Sequence, residues 1–159
     1  MTDEKTYSIS EAHRYFAVAL NNETWDLIEK TDRSASETER MIHGAHASAL
    51  HWIESGTGIN HARAEYLCSR AYAAAGYADS ALRHALRCKE LTTEHADEAT
   101  DWDRTFALEV AARAHAIAGN MDTARQLRRE AKAACRAIAD AEDREVVERE
   151  LAREPWGGI

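Results

Sequence analysis

A block of 31 residues that occurs twice, 43 positions apart, restricts this 159-residue chain more than any other feature. Residues 61–91 aligned on 104–134 share nine identities, among them Arg70/Arg113, Gly76/Gly119, Asp79/Asp122 and Lys89/Lys132. Alanine matches carry little weight in so alanine-rich a chain, but the coincidence of Arg, Gly and Asp does. In the first copy Ala64, Leu67, Cys68, Ala71, Tyr72 and Ala75 recur at i, i+3, i+4, i+7, i+8 and i+11, which makes one apolar stripe along a helix. Gly76 can adopt the left-handed conformation that closes a helix, and Asp79 lies at the start of the next. The second copy repeats the stripe with Ala107, Val110, Ala111, Ala114, His115 and Ala118, then closes at Gly119. Two helical hairpins in series follow, and repeats of roughly 20–50 residues are the signature of stacked helical architectures.

The flanking sequence is also helical in pattern. One proline and seven glycines leave little material for turns or sheets. Ser8 with Glu11, Ser34 with Glu37 and Thr100 with Asp103 have the spacing of helix N-terminal capping pairs. A first helix covers AHRYFAVAL, Asn21-Asn22 interrupts it, and ETWDLIEK makes a short second one. The third runs from about Ala35 to Glu54, with Met41, Ile42, Ala45, Ala49, Trp52 and Ile53 on its apolar arc and Gly44 outside it. A charged final helix covers about Asp140 to Arg153, with Pro155 stopping it. The expectation is an all-α single domain of about eight helices in antiparallel pairs: N-terminal helices over 1–58, two hairpins over 59–138, and a C-terminal helix and tail over 139–159.

These hairpins resemble the tetratricopeptide repeat. The family's helix pair reads Tyr-x3-Gly-x4-Ala, and this chain has Tyr72, Gly76 and Ala81, then His115, Gly119 and Ala124. Departures are the 43-residue period where the family has 34, and Glu65 and Ser69 where it favours a large apolar residue and a glycine. No third copy is found upstream. The resemblance implies a concave groove, lined by the first helix of each pair, that holds a protein or peptide partner. Carried over position by position, that groove shows Arg63, Tyr66, Arg70, Phe106, Glu109 and Arg113. Arg70 and Arg113 would stand side by side on neighbouring helices. Paired guanidinium groups beside Tyr66 would suit an anionic small ligand, because arginine presents a planar fork of donors. On this reading the two arginines lie at the surface, and replacing both leaves stability almost unchanged. The lysine–asparagine clamp of chaperone-binding members is missing.

Charge and cysteine use exclude several functions. The net charge is −8, distributed as −5 over residues 1–60, +1 over 61–138 and −4 over 139–159. Such a chain lacks the basic footprint of a nucleic-acid binder. No apolar run approaches a membrane span and the N-terminus lacks a leader pattern, so a cytoplasmic protein is expected. Cys68, Cys88 and Cys135 fall on apolar positions without CxxC spacing and read as small buried thiols.

A second candidate site lies on the third helix. Glu39, His43 and His46 share an arc of about 60° at i, i+4 and i+7 and could hold a divalent metal or supply a general base. No HExxH pair accompanies them, and His46 also suits a half-buried position beside the apolar face. No resident cofactor is otherwise expected. The expected function is a non-catalytic protein- or ligand-binding module. The alternatives are a metal-dependent or histidine-based enzyme centred on Glu39, His43 and His46, and a structural protein that self-associates into a homo-oligomer through its first helices.

Overall fold

A computed structural model describes residues 6–154 and 156–159. Among them are seven α-helices and no strands: α1 (Ile9–Glu29), α2 (Ala35–Ser55), α3 (Gly58–Ala75), α4 (Ala78–Glu94), α5 (Asp101–Ile117), α6 (Met121–Ala137) and α7 (Ala141–Ala152). The expected count of about eight is corrected because Asn21-Asn22 does not break α1. Asparagine weakens a helix interior by only about 0.7 kcal/mol, and packing on α2 overrides so small a preference. Ala17 and Thr24 are buried on that side, the Thr24 hydroxyl donates to the Leu20 carbonyl at 2.7 Å, and Ser48 Oγ of α2 donates to the Ala17 carbonyl at 2.7 Å. Pro155, expected to end the last helix, lies outside the described residues.

The capping pairs form as their spacing predicts. Ser8, Ser34 and Thr100 each accept from the backbone of Glu11, Glu37 and Asp103, whose carboxylates reach back to the cap. Gly76 and Gly119 hold φ of 81° and 82°, the left-handed cap conformation, at the same place in both copies.

The helices pair consecutively as α1/α2, α3/α4 and α5/α6, and each hairpin packs on the next through α2·α3 and α4·α5. The first helices also touch in order, α1·α3 and α3·α5. The result is a stack of three hairpins in which α1, α3 and α5 share one face. The core is correspondingly layered. Met41, Ala45, Leu67, Cys68 and Ala71 fill the α2–α3 junction, and Ala81, Ala85, Cys88, Ala107, Val110 and Ala114 fill the one around α4 and α5. Small side chains let the helices cross closely. Gly44, outside the apolar arc, does the same for α1 and α2: a Cβ there would lie 2.8 Å from Thr24 Oγ1. Ser69, at the place where a glycine would be expected, is buried and donates to the Ala81 carbonyl at 2.8 Å across its hairpin.

The charged α7 packs against α5 and α6. Val147 and Leu151 turn inward to a cluster with Ala112, Ala131, Cys135, Ile138 and Trp156. Trp156 is fully buried, its indole N–H donating to the Leu151 carbonyl at 3.1 Å. The guanidinium groups of Arg113 and Arg128 lie 4.1 and 4.3 Å from its ring.

Candidate site: an aromatic cleft above a buried ion network

The shared face of α1, α3 and α5, with α7 along one side, encloses a cleft of about 410 Å³. Four aromatic rings run across it in sequence. Trp25 of α1 lies 6.0 Å from Tyr66 of α3, Tyr66 meets Phe106 of α5 edge-on at 5.2 Å, and Phe106 meets Trp102 edge-on at 5.9 Å. Trp102 and Phe106 stand one turn apart on α5, and Trp25 joins them because α1 continues past Asn22. Offset and edge-to-face contacts are the favoured geometry of aromatic pairs. The rings therefore form a connected wall across three helices.

All six groove residues expected from the sequence come together here, but at two depths. Arg63, Tyr66 and Phe106 line the cleft. Arg70, Glu109 and Arg113 are 4, 0 and 2 % exposed, so they lie beneath it and are not a surface pair. The reason is Glu150 of α7, which pairs with Arg70 Nη1 and brings α7 over the groove. Arg113 Nε donates to Glu109 Oε1 at 2.7 Å, and the Tyr66 hydroxyl donates to Glu109 Oε2 at 3.0 Å. Arg70 Nη1 sits 3.6 Å from Glu109 and donates to the Tyr66 hydroxyl at 3.1 Å. Arg113 also donates to the carbonyls of Glu150 and Arg153 at the end of α7, at 3.2 and 3.1 Å; the Glu150 carbonyl accepts the capping Arg153 amide as well.

Two guanidinium groups thus face two carboxylates, with Arg70, Arg113 and Glu109 buried and Glu150 at the edge of the cleft. Burial opposes the charge on Arg70, but the surrounding Tyr66, Glu109 and Glu150 hold it protonated. Burial, with the Glu109 carboxylate alongside, raises the Tyr66 hydroxyl well above the ordinary phenol range. Removing both arginines from such a site would unbalance it, so the expectation that their loss leaves stability untouched does not survive their burial.

At the cleft surface the carboxylates are also paired. Arg63 grips Asp103 with Nε and Nη2, at 2.8 and 3.0 Å, while its guanidinium lies 4.3 Å from the Trp102 ring. Arg153 Nη1 reaches Glu29 at 2.7 Å and its Nε lies 3.4 Å from Glu150. Cys88 also lines the cleft, but burial pushes its thiol up to about 12, so it carries no thiolate at neutral pH.

Trp25, Trp102, Asp103 and Glu150 were not singled out from the sequence as site residues. A signal existed for Trp102, one turn before Phe106 on the same face. None existed for Glu150, which meets Arg70 across 80 positions of chain.

The histidine arc on α2 is dispersed. Glu39 and His43 face solvent. His46 Nε2 lies 2.9 Å from the Tyr72 hydroxyl, and its ring meets His84 edge-on at 5.3 Å. His84 in turn contacts Glu65 at 2.6 Å. Burial and the neighbouring His84 lower the basicity of His46. His51 pairs with His13 at 2.9 Å, and His61 turns toward the Trp52 carbonyl at 3.2 Å. Among the described residues no three His, Cys, Asp or Glu side chains are placed to hold a metal ion. His115, at the tyrosine position of the second copy, is half-buried and contacts the Asn120 side chain at 3.2 Å. All three cysteines are buried and unpaired, and no described helix is long and apolar enough to cross a membrane.

In comparisons with known proteins, no family model, curated protein or solved structure matches the chain.

Proposed function

We propose that the protein is a non-catalytic binding module built from tetratricopeptide-like hairpins, and that it takes a ligand with an aromatic or apolar body into the cleft between α1, α3, α5 and α7. The observation that carries this reading is the wall of Trp25, Tyr66, Phe106 and Trp102 bordering about 410 Å³ of open space. Ligand sites are typically concave, about 300–1,000 Å³, and mostly apolar with a few fixed polar groups. Water bordering four rings is poorly hydrogen-bonded, and displacing it yields about 25 cal/mol for each Å² of apolar surface covered. The ion network below supplies rigidity: Nη1 of Arg70 and Oε2 of Glu109 both hold the Tyr66 hydroxyl, which fixes the ring from behind.

A neutral aromatic probe tests this. N-phenyl-1-naphthylamine brightens in apolar surroundings and should bind saturably with a stoichiometry of one. Trp102→Ala, which removes a ring, and Val146→Trp, which projects bulk from the exposed side of α7 into the cleft, should each weaken binding about tenfold. Unsaturable binding, or wild-type affinity in both variants, would dismiss the cleft as the site.

A further inference from the structure

We infer that the ligand of this cleft carries a carboxylate, bound end-on by the outer edge of Arg63, with its aromatic body against the Trp102–Phe106 end of the wall; this rests on the binding function proposed above. The argument is an inventory of unclaimed polar groups. Three carboxylates line the cleft, and each is claimed: Asp103 by Arg63, Glu29 by Arg153, and Glu150 by Arg70 and Arg153. Asp103 is 3 % exposed, and its Oδ2 also accepts from the Thr100 amide and hydroxyl at 3.0 and 2.9 Å. A cationic ligand would find aromatic faces, but every carboxylate beside them already has an arginine balancing its charge.

Donors, in contrast, are in surplus. Arg63 uses Nε and Nη2 on Asp103, and its Nη1 has no protein acceptor among the described residues. Its side chain is 39 % exposed and lines the cleft. Two contacts hold it still: the two-point grip of Asp103, and the Trp102 ring beneath its plane. A guanidinium fixed in this way presents its remaining N–H groups in a known direction, and little rotamer freedom is left to lose when an anion arrives. Arg149, also at the rim, pairs among the described residues with the well-exposed Glu145 at 3.3 Å and adds a second, solvated positive charge.

Buried Arg70 and Arg113 do not serve this purpose, since Glu109 and Glu150 already neutralise them. The anion-recognising element is therefore the outermost arginine of the expected groove set. A small flat acid fits better than a phosphate ester, because one donor edge beside an apolar wall offers too few donors for a doubly charged group.

The test is competition against bound N-phenyl-1-naphthylamine by 2-naphthoate and by uncharged 2-naphthylmethanol, which share one ring system. The wild type should prefer the acid by about tenfold, the usual increment for one charge-assisted hydrogen bond. Arg63→Gln should abolish the preference, read as the ratio of acid to alcohol affinity within the variant itself; Asp103 keeps its Thr100 donors there. If Arg63→Gln does not fold, Arg63→Lys retains the charge beside Asp103 and should still lose most of the preference, because an ammonium occupied there has no second directed edge. Equal competition by acid and alcohol in the wild type overturns the carboxylate inference and leaves the aromatic cleft standing. Failure of the probe itself to bind overturns both.

Discussion

Replacing Glu109 with glutamine tests the buried network most directly. The change preserves shape and removes one negative charge from a side chain that is 0 % exposed. Arg113 would then lose the carboxylate that its Nε contacts while Arg70 keeps Glu150, so two buried guanidinium groups are left short of one negative charge. The new amide also turns a donor toward groups that are themselves donors: Arg113 Nε at 2.7 Å or the Tyr66 hydroxyl at 3.0 Å. Removing one partner of a buried pair destabilises by about 3–5 kcal/mol. Against a total stability on the order of 5–15 kcal/mol this is a large fraction. In a domain of this size it corresponds to a fall in Tm of roughly 6–20 °C. The assay is urea unfolding followed by both circular dichroism and tryptophan fluorescence, whose coincidence establishes two-state behaviour. Adding Arg113→Met restores charge balance, so the double variant should be less destabilised than the sum of the two singles by about 1–3 kcal/mol. A Glu109→Gln protein within 1 kcal/mol of wild type, or strict additivity in the cycle, would refute the reasoning.

Two other outcomes follow from the packing and titration of the hairpins. Gly44→Ala gains up to about 1 kcal/mol of helix propensity, yet its Cβ would meet Thr24 Oγ1, itself tied to the Leu20 carbonyl. Overpacking of about 1–3 kcal/mol should win, and a raised Tm would refute the close α1–α2 crossing. His46 and His115 are lowered mainly by burial, aided by His84 and Lys89 respectively, so below the unfolded value of about 6.5 the unfolded chain binds more protons. Stability should therefore fall as pH drops from about 6.5 toward the lowered folded values, and His46→Gln with His115→Gln should flatten that slope; an unchanged slope would assign the pH dependence elsewhere.

The fold was legible wherever a local rule decides it. Ser8/Glu11, Ser34/Glu37 and Thr100/Asp103 announce helix starts through contacts three residues apart, and Gly76 and Gly119 announce ends through a conformation other residues resist. Asn21-Asn22 misleads because its local penalty is small beside the contacts α1 makes with α2. The groove was legible as a set of residues, since Arg63, Tyr66, Arg70, Phe106, Glu109 and Arg113 do converge. Its depth was not. An arginine flanking an apolar stripe looks the same in sequence whether water or another helix covers it. What covers Arg70 and Arg113 is α7, whose charged composition suggests a solvated helix. Glu150 is one of seven acids in the last 21 residues, with nothing local to distinguish it.

Asp103 belongs to two structures at once. The carboxylate that holds Arg63 at the cleft is also the one that returns to Thr100 and closes the first turn of α5. An acid bound on Arg63 draws on the same guanidinium that steadies Asp103, so occupancy of the cleft and fraying of that turn are linked quantities. Amide hydrogen exchange around Asp101–Asp103, more than 35 residues from Arg63 in the chain, becomes a reporter of whether an acid has engaged that guanidinium.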